Sequence, residues 1–267
     1  MKAIGAVAVN VFRESVRDKV LYNLVLFAIL LISASYLISE LTAGQDVKVI
    51  KDLGLSAIAI FGLFMAVFIG VGLVSKEVER RSIYSILSKP IRRETFVFGK
   101  YCGLVLTLLV NVSAMTVSLY AVLALFRWFA PNWRAIPEAP NLDPALLKAI
   151  FCIFVELMLV TAVALLFSTF STPMLSAALT FGLWVAGHFN ADLKGFGSVV
   201  ASPFAAAATR TLYYVLPNFA AFDIKSPVVH GEHVAGSYIL LATSYGLVYI
   251  ALLLTASMVV FARRDFK

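Results

Sequence analysis

Charge is what this sequence has least of. Only 14% of its 267 residues are Asp, Glu, Lys or Arg, while 61% are hydrophobic. A water-soluble domain carries roughly 25% charged residues, so that class is excluded. Cysteine is nearly absent too. Cys102 and Cys152 both fall inside apolar runs, which rules out a disulfide framework or a thiolate metal cluster and leaves two small core residues. Catalytic and nucleotide motifs are missing. Gly99-Lys100 is followed by Tyr101, and Glu94 stands where a phosphate loop needs its first glycine. There is no G-x-S-x-G elbow and no H-E-x-x-H helix. His230-Gly231-Glu232-His233 could hold a metal in principle, but a polar tract of this kind reads first as a solvated turn. No cofactor, metal or catalytic residue is expected on this chain.

What is there is oil, in runs of membrane-crossing length. Six spans of about 20 residues, the length a helix needs to cross the hydrocarbon core, fall at about 20–39, 53–75, 101–126, 146–168, 173–190 and 238–262. The expected fold is an all-α integral membrane protein. Gly182, Gly187 and His188 make the fifth span the weakest. Lys and Arg outnumber Asp and Glu by 22 to 15. In a membrane protein that excess sets orientation and lipid-headgroup contact, not nucleic-acid binding. The N-terminal lead, the 76–100 loop and the tail hold 14 of the 22, against 8 on the opposite side. The positive-inside rule therefore makes both termini and that loop cytoplasmic, in the inner (plasma) membrane.

Residues 1–19 precede the spans. Ile4, Val7, Ala8, Val11 and Phe12 share one helical face and Asn10, Arg13, Glu14, Arg17 and Asp18 the other, the pattern of an amphipathic helix lying at the membrane surface. Ser33-Ala34-Ser35 could end a signal peptide, but the lead-in contains two acids and the apolar run continues past it, so cleavage is not expected. On the outer side, residues 127–145 carry Trp128, Trp133 and four prolines, an irregular loop with aromatics at headgroup level. Residues 191–237 form the longest non-spanning segment, in which 196–216 is expected to lie at the surface or re-enter the membrane. Glu156 is the one acid in mid-span, which costs roughly 2.5–3.5 kcal/mol on insertion scales. With no second intramembrane charge in view, a hydrogen-bonded acid at a helix–helix contact is the favoured reading, ahead of a proton pathway. Gly62, Gly70, Gly72 and Gly99-x-x-x-Gly103 fit close helix packing.

The most charged passage is Ser75–Lys100, with Lys76, Arg80, Arg81, Lys89, Arg92, Arg93 and Lys100 against Glu77, Glu79 and Glu94. Within it Ile83, Ile86 and Leu87 sit at helical spacing, giving a short helix one apolar and one basic face. Pro90 stops that helix. An amphipathic helix held between two spans is shaped to be gripped by a partner; anchoring to anionic lipid through its arginines is the competing reading.

Glu79-Arg80-Arg81-Ser82-Ile83-Tyr84-Ser85-Ile86-Leu87-Ser88-Lys89-Pro90, followed by Arg93 and Gly99-Lys100, resembles the signature of ABC-2 type permeases. Many members have Gly-Thr where this chain has Arg81-Ser82. Leu216-Pro217-Asn218 also resembles one branch of that family. The resemblance implies a membrane-spanning subunit that pairs with a second permease copy or homologue and binds separate ATPase subunits, which carry ATP and magnesium. Membrane lipid and an accessory or periplasmic subunit complete the implied partners. It assigns ATPase coupling to Glu79, Arg81, Ser82, Ile83, Ile86, Leu87, Pro90, Arg93 and Lys100. A self-sufficient secondary transporter or channel is the alternative; it would need paired intramembrane charges or interrupted helices in two halves.

Overall fold

The computed structural model describes residues 2–39, 46–79, 93–129, 143–190, 211, 213 and 215–263. Every regular element among them is helical: α1 Lys2–Val16, α2 Lys19–Ser39, α3 Asp46–Glu79, α4 Arg93–Phe129, α5 Ala145–Ser168, α6 Pro173–His188, a 3-10 turn Phe219–Phe222, α7 Lys225–Val229 and α8 Gly236–Arg263. Five of these, α2, α3, α4, α5 and α8, are long and apolar enough to cross a membrane. The expected fifth span, 173–190, is only 16 residues of helix. At 1.5 Å per residue it is about 24 Å long, short of the ~30 Å hydrocarbon core. Pro173 opens it, where a missing N–H costs nothing.

α5 is the axis. Of its apolar stretch 72% is buried, against 22% for α2 and for α8, so α5 is wrapped by neighbours while α2 and α8 present apolar side chains outward. Close approach to α3 is what buries it. A Cβ on Gly62 would collide with Leu157, and one on Gly70 with Ala164. Gly72, expected in the same role, faces open space instead.

The chain closes the two ends of this bundle differently. At the end of α1, the start of α4 and the end of α8, α1 lies on α4 with Val11 buried, and Arg13 and Glu14 exposed on its other face. At the opposite end the segment after residue 215 folds into the bundle. Phe219, Phe222, Ile224, Val228 and Val229 are all buried there. The segment 196–216, expected to lie at the surface or re-enter the membrane, falls almost wholly outside the described residues; the described segment that inserts is the next one, 216–229. It packs against α3, α5 and α6, filling the space beyond the short sixth helix.

Candidate functional site

Two places combine unusual burial with chemistry, one at the α1 end and one midway along α5. At the α1 end, the charged loop is flanked by two very long helices. α3 runs on past its apolar stretch, Val47–Gly72, to Glu79, and α4 begins at Arg93 and continues unbroken for 37 residues. At 1.5 Å per residue they measure about 51 and 55 Å, well beyond a ~30 Å hydrocarbon core. Arg81, Ser82, Ile83, Ile86, Leu87 and Pro90 lie outside the described residues, so no helix over 79–88 is described. Glu79 is the last residue of α3 and Arg93 the first of α4. Lys100, the third site residue on these helices, is only 1% exposed and lies over the Phe96 ring at 4.6 Å.

The root of α4 is clamped from two sides. Gly99 and Gly103 bring it against α1 so closely that a Cβ on Gly103 would stand 2.6 Å from the Ala8 carbonyl oxygen, and one on Gly99 2.9 Å from Val7. The small-residue pair therefore receives the amphipathic N-terminal helix. On the other side Phe96 stacks on Phe261 of α8, centroids 6.0 Å apart. The start of α4 is thus in contact with both α1 and α8.

The second place is built around Glu156, in the middle of α5 and 7% exposed. Trp184 of α6 donates its indole N–H to Glu156 Oε1 at 2.7 Å. His188, one turn further on, brings Nε2 to 3.7 Å from the same oxygen. Its Nδ1 lies 3.2 Å from the Trp184 carbonyl. A carbonyl can only accept, so Nδ1 carries a proton and Nε2 is the nitrogen that faces the acid. Phe219 of the inserted segment stacks on the imidazole at 6.0 Å, 11° from parallel. Gly187 makes this possible, because a methyl there would overlap both the Phe219 ring and the Pro217 carbonyl. The Leu216-Pro217-Asn218 motif is thus the stretch that packs onto α6.

The sequence points to Glu156 with no second intramembrane charge in view; His188, visible in the sequence only as a flaw in the fifth span, is the titratable group the fold sets beside it. Sequence reasoning missed Lys51 and Asp143. Lys51 is fully buried, and its Nζ lies 3.6 Å from Asp143 Oδ2. The other carboxylate oxygen accepts from the Ala145 N–H at 2.8 Å, and the Asp143 carbonyl accepts from the Tyr120 hydroxyl at 2.9 Å. One residue so ties α3, α4 and the start of α5 together.

A scan against known families matches the description "ABC-2 family transporter protein" over residues 6–266. The chain belongs to the ABC-2 transporter family. No curated protein matches it in sequence. It is a multi-pass membrane permease, in a family whose membrane subunits are generally non-catalytic and normally work with ATPase subunits. The permease's two unusual regions are the clamped root of α4, and the polar cluster midway along α5 with the inserted segment beside it.

Proposed function

We propose that this permease is the membrane subunit of an ATP-driven transporter and that its 76–100 loop is where separate ATPase subunits dock. The single observation that carries the reading is the pair of long helices, α3 and α4, that flank the charged loop in a chain of this family. Both outlast the hydrocarbon core, so movement of residues 79–90 is delivered to two membrane helices at once. In this reading Ile83, Ile86 and Leu87 form the apolar face of a coupling helix ended by Pro90, with Glu79, Arg81, Ser82 and Arg93 around it. Lys100, buried over Phe96, holds the root of α4 instead of touching the ATPase. α6 counts as a sixth, short span completed by the inserted segment. Both termini and the loop are cytoplasmic, two permeases pair, and ATP and magnesium bind on the partner.

The first test is co-purification. The tagged permease should bring down an ATPase subunit from native membranes, and reporter fusions at 45, 135 and 232 should be external while those at 85 and 267 are cytoplasmic. A permease that transports with no ATPase attached would instead fit a carrier driven by an ion gradient, for which His188 beside Glu156 supplies a second titratable group.

A further inference from the structure

Glu156 Oε1 and His188 Nε2 face each other 3.7 Å apart. The Trp184 carbonyl fixes the histidine proton on Nδ1, so Nε2 turns a lone pair toward the acid. An ionised carboxylate is likewise only an acceptor. With no proton between them, the two atoms repel, and a nearly buried carboxylate is left without a counter-charge where that is costly. One proton removes both problems. On Nε2 it makes an ion pair, and on the carboxyl group it makes a neutral acid beside a neutral imidazole. The proton then belongs to the pair and not to either residue.

The same histidine carries the inserted segment. Phe219 is fully buried and lies on the imidazole, 11° from parallel. Gly187, the residue before His188, leaves room for the Phe219 ring and the Pro217 carbonyl. His188 thus meets the acid with its edge and the segment with its face.

Other titratable groups surround the pair. Asp223 and Lys225 of the segment are paired with each other at 3.7 Å, and their charges act on both Glu156 and His188 with opposite sign. α5 adds buried Cys152, one turn before Glu156. α4 adds Tyr101, whose hydroxyl donates to the Met158 carbonyl at 3.2 Å. α8 adds Tyr245, against Phe222, and its neighbour Tyr249. α3 reaches α6 through Phe64 on Phe181 and has no titratable residue between Asp52 and Lys76.

We propose that Glu156 and His188 bind one exchangeable proton between them, and that this proton latches the 216–229 segment into the bundle. When it passes to water, the two acceptors push apart, the imidazole turns from the acid and the Phe219 stack loosens. A site that keeps the proton when closed and gives it up when open links opening to pH. Over the range where both hold, opening becomes tenfold more frequent per pH unit. The latch needs only the permease, so it stands or falls separately from the ATPase reading.

The full chain is reconstituted in phosphatidylcholine nanodiscs, and native-state amide exchange is followed from pH 6 to 9, corrected for the pH dependence of chemical exchange. Protection of 216–229 should fall as pH rises, by up to tenfold per unit, while peptides within α5 keep theirs. Glu156→Gln should remove the fall, because its amide accepts from Trp184 and carries hydrogens that no pH in this range takes away. His188→Phe keeps a ring for Phe219 but deletes one acceptor, and should displace the pH at which protection is lost. Asp223→Asn should leave the fall in place. A wild-type segment whose protection ignores pH would overturn the proposal without any variant. So would a wild-type profile in Glu156→Gln or His188→Phe, or a fall abolished by Asp223→Asn, which would put the titrating group in the segment itself.

Discussion

The two ends of the bundle are closed by opposite kinds of chemistry. At the loop end, the contacts are shape: glycines at 99 and 103 under α1, Phe96 against Phe261, and Lys100 laid over an aromatic ring. Towards the other end they are directional: an ion pair from buried Lys51 to Asp143 and, deeper along α5, an indole donating to Glu156 beside a chain segment pinned by ring stacking. Close packing transmits displacement with little slack, since interiors are as dense as molecular crystals. Hydrogen bonds and ion pairs fix specific partners and can present unfilled valences to a ligand. Among the described residues, one end of the permease is thus closed by packing and the other by directional contacts.

The largest expected effect breaks the directional end. Asp143→Ala strips the partner from fully buried Lys51 and also the acceptor that holds the start of α5. Removing one member of a buried pair costs about 3–5 kcal/mol, so thermal unfolding in detergent should show a large loss. Lys51→Met should cost less, because the Asp143 carboxylate left behind is partly exposed and still accepts from the Ala145 N–H. Equal losses in the two variants would mean that the pair is not what holds these helices.

A smaller effect is expected where packing alone is disturbed. Gly103→Val drives a branched side chain into Ala8 and Val11, and overpacking of this kind costs about 1–3 kcal/mol. The signature should be selective: α1 is pushed off α4, so protease sensitivity near residue 16 rises while the Lys51–Asp143 end stays protected. Uniform loosening of both ends would blur the distinction between them.

Smallest of all should be Glu156→Gln. The amide keeps an oxygen to accept from Trp184, and only the charge is lost, so transport and assembly should largely survive. Abolished transport in a normally assembled variant would turn the Glu156–His188 pair from a structural contact into a proton pathway, and the comparison with it.

Much of the scaffold was legible because length and periodicity are local properties. α1 follows its amphipathic pattern from Ile4 to Phe12, and the apolar runs fall where α2, α3, α4, α5 and α8 form. The inserted segment was not legible. Its 3-10 turn and α7 are four and five residues long, too short for any period to register, and Pro217 and Pro227 make it look like plain loop. Lys51 with Asp143, and Glu156 with His188, are partners brought together only by helix packing. A histidine in an apolar run looked like a weakness of the span until its acid was found across the helix interface. Gly72 carried the same sequence signal as Gly70 but meets no neighbour, because spacing cannot say which face of a helix is covered.

The claim at the centre is that the charged loop is the mechanical input. Ile83→Asp together with Leu87→Asp places two charges on the proposed apolar face while leaving every span untouched. Each of those side chains, buried against an ATPase, would contribute about 1.5–3 kcal/mol at most, so losing both should abolish ATPase pull-down and the stimulation of ATP hydrolysis, with membrane insertion unchanged. A lipid anchor would behave otherwise: replacing Arg80, Arg81, Arg92 and Arg93 would matter more than the two aspartates. The double-aspartate permease binding and stimulating the ATPase at wild-type levels would contradict the account.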